Sequence, residues 1–210
     1  MPEEKNIRWQ IGKKAWSKFR RPKWPLDFWK GPGYTFDVNL KAKIREIPNW
    51  PVKGVIFYDI TTLLEDPRTL QYIINQMTQP FLEEKVDKVV AIDARGFVLA
   101  TPIAFQLGAG VCLVRKKGKL PFKTVEASYQ KEYGPDTLTM HKDSIKKGER
   151  VLIVDDLLAT GGTIMATIEM VKKLGGIVAG ISLIINLPFL GGSHKLKKYH
   201  PKWLVSYDSE

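Results

Sequence analysis

The chain has 210 residues, 44% of them hydrophobic, a single cysteine and a formal net charge of +11. That length and apolar content suit one compact domain with a full core and an appendage, and exclude a chain disordered throughout. The lone Cys112 excludes an internal disulfide framework, no apolar run is long enough to span a bilayer, and the N-terminus carries charges without an apolar segment behind them; the expectation is a soluble, cytoplasmic protein.

Residues 1–36 read as a basic, aromatic N-terminal extension. Residues 1–30 hold nine Lys/Arg against three Asp/Glu, which is +6 of the +11, and four of the six tryptophans, Trp9, Trp16, Trp24 and Trp29. Ile7, Ile11, Ala15 and Phe19 recur every four residues with Lys13, Lys14, Lys18 and Arg20 between them, which predicts a short basic amphipathic helix. Pro22, Pro25, Gly31, Pro32 and Gly33 then break regular structure. Three roles stay open for this segment: packing against the main domain or a partner subunit, contact with nucleic acid, and contact with an anionic membrane surface. Packing is favoured, because tryptophan-rich segments usually need a dry partner surface.

The domain proper is expected over 37–210. Asn39 caps a predicted helix through about Glu46, which Ile47-Pro48-Asn49-Trp50-Pro51 ends. Residues 54–60 form a short strand or loop. Asp66-Pro67 opens an apolar-periodic helix through about Leu82, with Pro67 in the first turn. A strand over 88–92 ends in Asp93-Ala94-Arg95-Gly96-Phe97, a helix covers about 98–107, and another strand covers 111–115, where Cys112 reads as a small buried hydrophobe. Strand 151–154, a helix over 164–174 and strand 177–185 continue the alternation. Strand, helix, strand in succession predicts an α/β fold, a parallel central sheet flanked by helices on both faces, with ligands at the carboxyl ends of the strands.

One stretch interrupts that rhythm. Lys116-Lys117-Gly118-Lys119-Leu120-Pro121 leads into Thr124 to Tyr129, which alternates like one arm of a hairpin, and 137–140 supplies the other arm. A long, Lys-rich excursion beside an active-site edge, with aromatic Tyr129 and Tyr133, reads as a mobile lid hairpin over about 116–140. The plainer alternative is a solvated surface hairpin.

The most informative stretch runs from Val151 to Thr163. A buried strand ends in two adjacent acids, Asp155 and Asp156; Leu157 and Leu158 follow, and then Ala159-Thr160-Gly161-Gly162-Thr163 turns into a helix. The backbone N–H groups of Ala159 to Thr163 and the hydroxyls of Thr160 and Thr163 converge on one anion. The pattern lacks the Lys that precedes the Ser/Thr of a nucleotide-triphosphate loop, and a dinucleotide loop has no acid pair at this place. Carboxylates would repel a bare polyphosphate, but they suit the vicinal hydroxyls of a ribose whose 5-phosphate lies in the turn. An ordinary strand and turn would leave the acid pair and its Thr-Gly-Gly-Thr sequel unexplained.

This stretch resembles the phosphoribosyl pyrophosphate loop of type I phosphoribosyltransferases. Asp93-Ala94-Arg95-Gly96-Phe97, Arg115 to Pro121, Ala127 to Gly134, and Pro51 to Ile60 together resemble adenine phosphoribosyltransferases, in the same order and at similar spacing, over roughly residues 38–200. The resemblance implies Mg2+-dependent transfer of ribose 5-phosphate from phosphoribosyl pyrophosphate to N9 of adenine, giving AMP and pyrophosphate, in a cytoplasmic homodimer. By the same resemblance the backbone of Ile56 reads adenine, Phe57 stacks on its ring and Leu157 packs on the other face.

The charges needed follow from the chemistry. Breaking the C1–pyrophosphate bond builds oxocarbenium character, so leaving-group charge must be neutralised and the purine held in line. Arg95 and the backbone of Ala94 and Gly96 are placed to take the pyrophosphate, with Arg115, Lys116 and Lys119 closing over it. Glu132 on the lid is the candidate general acid/base near the purine nitrogens, with Lys119 and Arg95 beside it in the chemistry. Magnesium is expected to keep waters, with Asp155 and Asp156 as ribose or water-mediated partners rather than a direct cage. His141, His194 and His200 are scattered and receive no role.

Tyr58 stands where many relatives have arginine, Ala94 where serine is common, and Asn186 where an acid is frequent. Two other functions remain in view. A 6-oxopurine transferase for guanine, xanthine or hypoxanthine usually presents a lysine to the exocyclic oxygen, and Leu157-Leu158-Ala159 suits adenine better. A regulator of this fold that contacts nucleic acid through a basic segment need not keep Glu132 and Lys119.

Overall fold

The computed structural model describes residues 38–131 and 134–209. The helix read in the N-terminal extension, and lid residues Glu132 and Tyr133, therefore lie outside the described residues.

The first structured turn is shorter than its sequence pattern suggests. Asn39 does cap it, its side chain accepting from the Ala42 N–H at 3.2 Å, but helix α1 covers only Leu40–Lys43. Ile44 goes extended, and Arg45–Pro48 forms strand β1, paired antiparallel with β2, Ile56–Asp59, from Arg45↔Asp59 to Pro48↔Ile56. The helix expected through Glu46 is thus corrected: Pro48 disfavours helix at Ile47, and the strand partner offers this backbone a ladder instead. Between the strands Asn49 sits at φ 60° and accepts from the Gly54 N–H at 2.9 Å.

A short helix α2, Thr61–Glu65, follows and was not foreseen; Asp59 starts it by accepting from the Thr61 N–H (3.0 Å) and hydroxyl (2.8 Å). Asp66 then caps α3, Pro67–Thr78, accepting from the Arg68 N–H at 3.0 Å. The helix stops before Leu82 because Pro80 has no N–H to continue it, and Gln79–Phe81 tightens into a single 3₁₀ turn.

The main sheet runs in the order β10-β9-β7-β3-β4-β6-β5, where β3 is Lys88–Ile92, β4 Gly110–Lys116, β5 Thr124–Lys131, β6 Gly134–His141, β7 Arg150–Val154, β9 Ile177–Asn186 and β10 Lys202–Ser206. From β10 to β4 the neighbours are parallel, and β6 and β5 close that edge antiparallel. Helices cover both faces, as the alternation predicts. On one, α3 and α4 (Arg95–Leu107) bury Ile73, Met77, Leu99 and Ile103 against Val89, Ala91, Leu152 and Val154. On the other, α5 (Gly162–Lys173) buries Ile164, Ile168 and Val171 against Val90, Ile92, Val151 and Ile153. Cys112 lies in the second core, where burial pushes its thiol pKa up to about 11.

Two further features position the site. The lid hairpin is stitched into the sheet at its base: β5 and β6 pair from Thr124↔His141 to Lys131↔Gly134, β6 pairs with β4 at Val114↔Met140 to Lys116↔Leu138, and Ala127, Leu138 and Met140 are buried. At the other edge the C-terminal residues, for which the sequence pattern predicted no element, form helix α6 (Gly192–Lys195) and the edge strand β10. After β7 the chain steps aside at Asp155-Asp156 and rejoins the sheet as β8, Leu157–Leu158, pairing with Ile185 and Asn186.

Candidate active site

β3 and β7 are adjacent and parallel, with Ala91 opposite Val154, so Asp93 and the Asp155-Asp156 pair emerge side by side at their carboxyl ends. Ligand clefts of open α/β sheets form at such a place. A cavity of about 380 Å³ opens there. Its floor is Ile92, Asp93, Ala94 and Arg95 from the first strand and turn, with Asp155 and Asp156 from the second. Thr163 of α5 lines it, as do Lys116 and Lys119 beyond β4 and Tyr129 and Leu138 of the hairpin.

Close packing at glycines brings these parts together. A Cβ on Gly96 would lie 3.0 Å from the Val154 carbonyl oxygen and 3.3 Å from Asp155 Oδ1, so only glycine lets the N-terminus of α4 abut the acids. That end of the helix carries unpaired N–H groups and a partial positive charge, suited to an anion. The Asp93–Ala94 peptide within this turn is cis. Gly162 plays the same part under the hairpin, where a Cβ would fall 2.7 Å from Tyr129 Cδ2.

The electrostatics are asymmetric. Asp155 is half-buried and Asp156 buried, and Asp155 Oδ1 accepts from the Asp156 N–H at 3.0 Å. Burial, reinforced by the adjacent Asp156 charge, raises the Asp155 carboxyl well above the usual range, and the Asp156 N–H and Arg95 only partly offset it. Arg95 Nε lies 2.8 Å from Asp156 Oδ2 as an ion pair, but without the alignment of a directed hydrogen bond, so that buried oxygen keeps unfilled acceptor capacity. The same guanidinium lies 5.0 Å over the Phe57 ring, against whose other surroundings Trp50 packs edge-on at 4.4 Å. Arg95 therefore joins the acid pair to the aromatic residue expected under the purine.

Asp59, behind Phe57, is a contrasting carboxylate. Burial opposes its charge, but the Thr61 N–H and hydroxyl, helped by Arg45 and Arg95, outweigh that and lower its pKa.

The described residues expected in the site are placed in different ways. Ala94, Arg95, Lys116, Lys119, Tyr129, Asp155, Asp156 and Thr163 meet in the cavity wall. Lys116 Nζ is 3.5 Å from Asp136, and Lys119 has no carboxylate partner among the described residues. Gly96 packs against Asp155 and Gly162 against Tyr129, Ala159, Thr160 and Gly161 form the turn before α5, Ile56 and Leu157 pack at the edge of the first core, and Phe57 lies beneath the Arg95 guanidinium. Arg115 is turned to a structural partner: its Nε donates to Asp93 Oδ2 at 2.9 Å and its Nη1 to the Lys119 carbonyl at 3.2 Å. It thereby ties the start of the Lys-rich loop to the Asp93 turn. The Asp93 carboxylate and the contacts of α6 with the loop at 159–161 were not read from the sequence, because nothing in a local pattern marks a partner more than twenty residues away.

A phosphoribosyl transferase domain model matches residues 58–207. An adenine phosphoribosyltransferase of Desulfosudis oleivorans is 49% identical over 173 residues, spanning 82% of this chain and 100% of the relative. The chain belongs to the adenine phosphoribosyltransferase family. It is accordingly a purine-salvage enzyme, a glycosyltransferase that phosphoribosylates adenine to AMP. Among solved structures, the adenine phosphoribosyltransferase of Thermoanaerobacter pseudethanolicus superposes with a TM-score of 0.77 at 46% identity, covering 80% of this chain and 97% of that one. The Saccharomyces cerevisiae adenine phosphoribosyltransferase, solved with adenine and an imino-altritol bisphosphate, gives 0.75 at 35% identity, covering 79% and 96%.

Proposed function

We propose that phosphoribosyl pyrophosphate lies across this cavity, with its 5-phosphate on the turn at 159–163, its ribose hydroxyls at Asp155 and Asp156, and its pyrophosphate on the turn at 93–96 under Lys116 and Lys119. The observation that carries the reading is the meeting, at one pair of strand ends, of two carboxylates, a helix N-terminus and the cations Arg95, Lys116 and Lys119. Adenine lies against Phe57 and the Ile56 backbone, with Leu157 on its other face. Arg95, which bridges Asp156 and Phe57, then stands where the departing pyrophosphate meets the purine. Lysine and arginine charges gain most as negative charge grows on the leaving group, so they lower the barrier rather than merely tightening the ground state.

The donor set fits magnesium. Asp155 and Asp156 offer hard carboxylate oxygens, and the unfilled capacity at Asp156 Oδ2 suits a hydrated cation's water or a ribose hydroxyl. When bound, magnesium would neutralise pyrophosphate charge. Glu132, three residues after the cavity-lining Tyr129 in sequence, is the group we assign to exchange a proton with the purine nitrogens.

A homodimer is supported by an apolar face: Val98 and Phe105 of α4 are 50% and 66% exposed, and Val111 and Leu113 of β4 are each 40% exposed. Among the described residues no helix is long and apolar enough to cross a membrane, and a cytoplasmic site of action agrees with the reduced, buried Cys112. The test is purified protein with phosphoribosyl pyrophosphate, adenine and magnesium. AMP and pyrophosphate should appear in equal amounts and cease on chelation; absence of AMP under these conditions would overturn the proposal.

A further inference from the structure

The turn at 159–161 is held from outside by α6. The Gly192 N–H donates to the Ala159 carbonyl at 3.1 Å, and Lys195 Nζ donates to the Thr160 carbonyl at 3.1 Å. The contact at Gly192 is backbone to backbone, and Gly161, at φ 79°, approaches it so closely that a Cβ there would lie 3.2 Å from Gly192 Cα. Both anchored carbonyls belong to trans peptides, since among the described residues the cis bonds are Trp50–Pro51 and Asp93–Ala94. In a planar trans peptide the N–H points opposite to the carbonyl. Fixing the Ala159 and Thr160 carbonyls toward α6 therefore aims the N–H groups of Thr160 and Gly161 the other way, and neither N–H has a protein acceptor among the described residues. Backbone donors left without partners beside a helix N-terminus suit an anion.

We propose that Lys195 is a positioning residue for the 5-phosphate: its ammonium locks the Thr160–Gly161 peptide so that the turn presents its N–H groups to the phosphate before substrate arrives. A charged donor on the carbonyl also polarises the same peptide, which strengthens the N–H on the far side. The side chain is exposed, so it can be replaced without opening the core. The phosphate is bound throughout the reaction, in ground state and transition state alike, so the effect falls on binding of phosphoribosyl compounds and not on the chemical step. The inference rests on the proposed placement of the 5-phosphate.

The test compares Lys195→Met, Lys195→Arg and Lys197→Met, the last removing an equal charge from a neighbouring exposed position. Ribose 5-phosphate binding is measured by calorimetry and steady-state kinetics with each substrate varied. For Lys195→Met, the Kd for ribose 5-phosphate and the KM for phosphoribosyl pyrophosphate should rise about five- to tenfold, the scale of one charge-assisted hydrogen bond at an exposed position, with kcat and the adenine KM within about twofold. Lys195→Arg should recover most of the loss and Lys197→Met should show none. Lys195→Met matching wild type in both quantities, or Lys197→Met losing as much, would overturn the inference. Wild-type protein that binds ribose 5-phosphate but makes no AMP would instead sink the adenine reading, and the binding arm would still decide the role of Lys195; wild-type protein that does not bind ribose 5-phosphate would overturn both.

Discussion

Gly192→Ala is a one-carbon perturbation whose effect can be worked from distances. The added methyl would lie 2.2 Å from the Ala159 carbonyl oxygen, 2.8 Å from Leu158 Cδ1 and 2.9 Å from the Gly161 nitrogen, whereas ordinary contact begins at 3.4 Å. Two of those atoms are backbone, and Gly161 already holds a left-handed φ of 79°, so a side-chain rotation cannot relieve the clash. The turn must retreat by about 1 Å, and misplacement of that size in a positioning element costs on the order of a hundredfold in kcat/KM for phosphoribosyl pyrophosphate. Overpacking of this kind costs about 1–3 kcal/mol, which at about 2–4 °C per kcal/mol for a domain of this size lowers Tm by roughly 2–12 °C. Steady-state assays with phosphoribosyl pyrophosphate varied at saturating adenine, beside a thermal melt, measure both. A variant within about threefold of wild type in kcat/KM would refute the argument that contact with α6 shapes the phosphate turn.

Replacing Asp155 and Asp156 together by Asn should abolish turnover while the protein stays folded by circular dichroism; activity above about a tenth of wild type would mean that the acids serve only the fold. Asp155→Asn alone should stabilise the ligand-free protein. A carboxyl whose folded pKa is raised stabilises the fold below its unfolded pKa and loses that contribution as pH rises toward the folded value, so the gain in Tm over wild type should grow from pH 4 to pH 7. A Tm difference that shrinks over that range would contradict the burial argument. Glu132→Gln keeps shape but removes basicity, and kcat should fall by about a hundred- to ten-thousandfold; a loss below about threefold with chemistry rate-limiting would exclude general acid–base catalysis by this residue. Lys119→Ala should both raise the KM for phosphoribosyl pyrophosphate and lower kcat, and an unchanged kcat would place the lysine in ground-state binding alone.

The sheet and the cavity floor were legible because their signals are local. Val151 to Val154 is a continuous apolar run that can only be a doubly covered strand, and the acids and small residues after it leave few uses for the turn that follows. The Asp93 turn and the two arms of the hairpin were equally plain from alternation and punctuation. Errors fell where a neighbour distant in sequence decides the local structure. Residues 44–46 look helical until β2 offers them a partner, and β10 has a half-exposed pattern too weak to read without the edge of β9 beside it. For Arg115, expected to close over the pyrophosphate, the structure adds a partner that no local pattern marks, the Asp93 carboxylate 2.9 Å away. Lys195 is indistinguishable in sequence from Lys197 and Lys198; only the course of the chain around Gly191 and Gly192 brings it to the Thr160 carbonyl.

The most direct test of the account is the ratio of kcat/KM for adenine to that for hypoxanthine and guanine, measured with one protein preparation at saturating phosphoribosyl pyrophosphate and magnesium. The proposed recognition through the backbone at Ile56, with Phe57 and Leu157 enclosing the ring, should favour adenine by at least about a hundredfold, on the order of 3 kcal/mol. Equal turnover of hypoxanthine would contradict it.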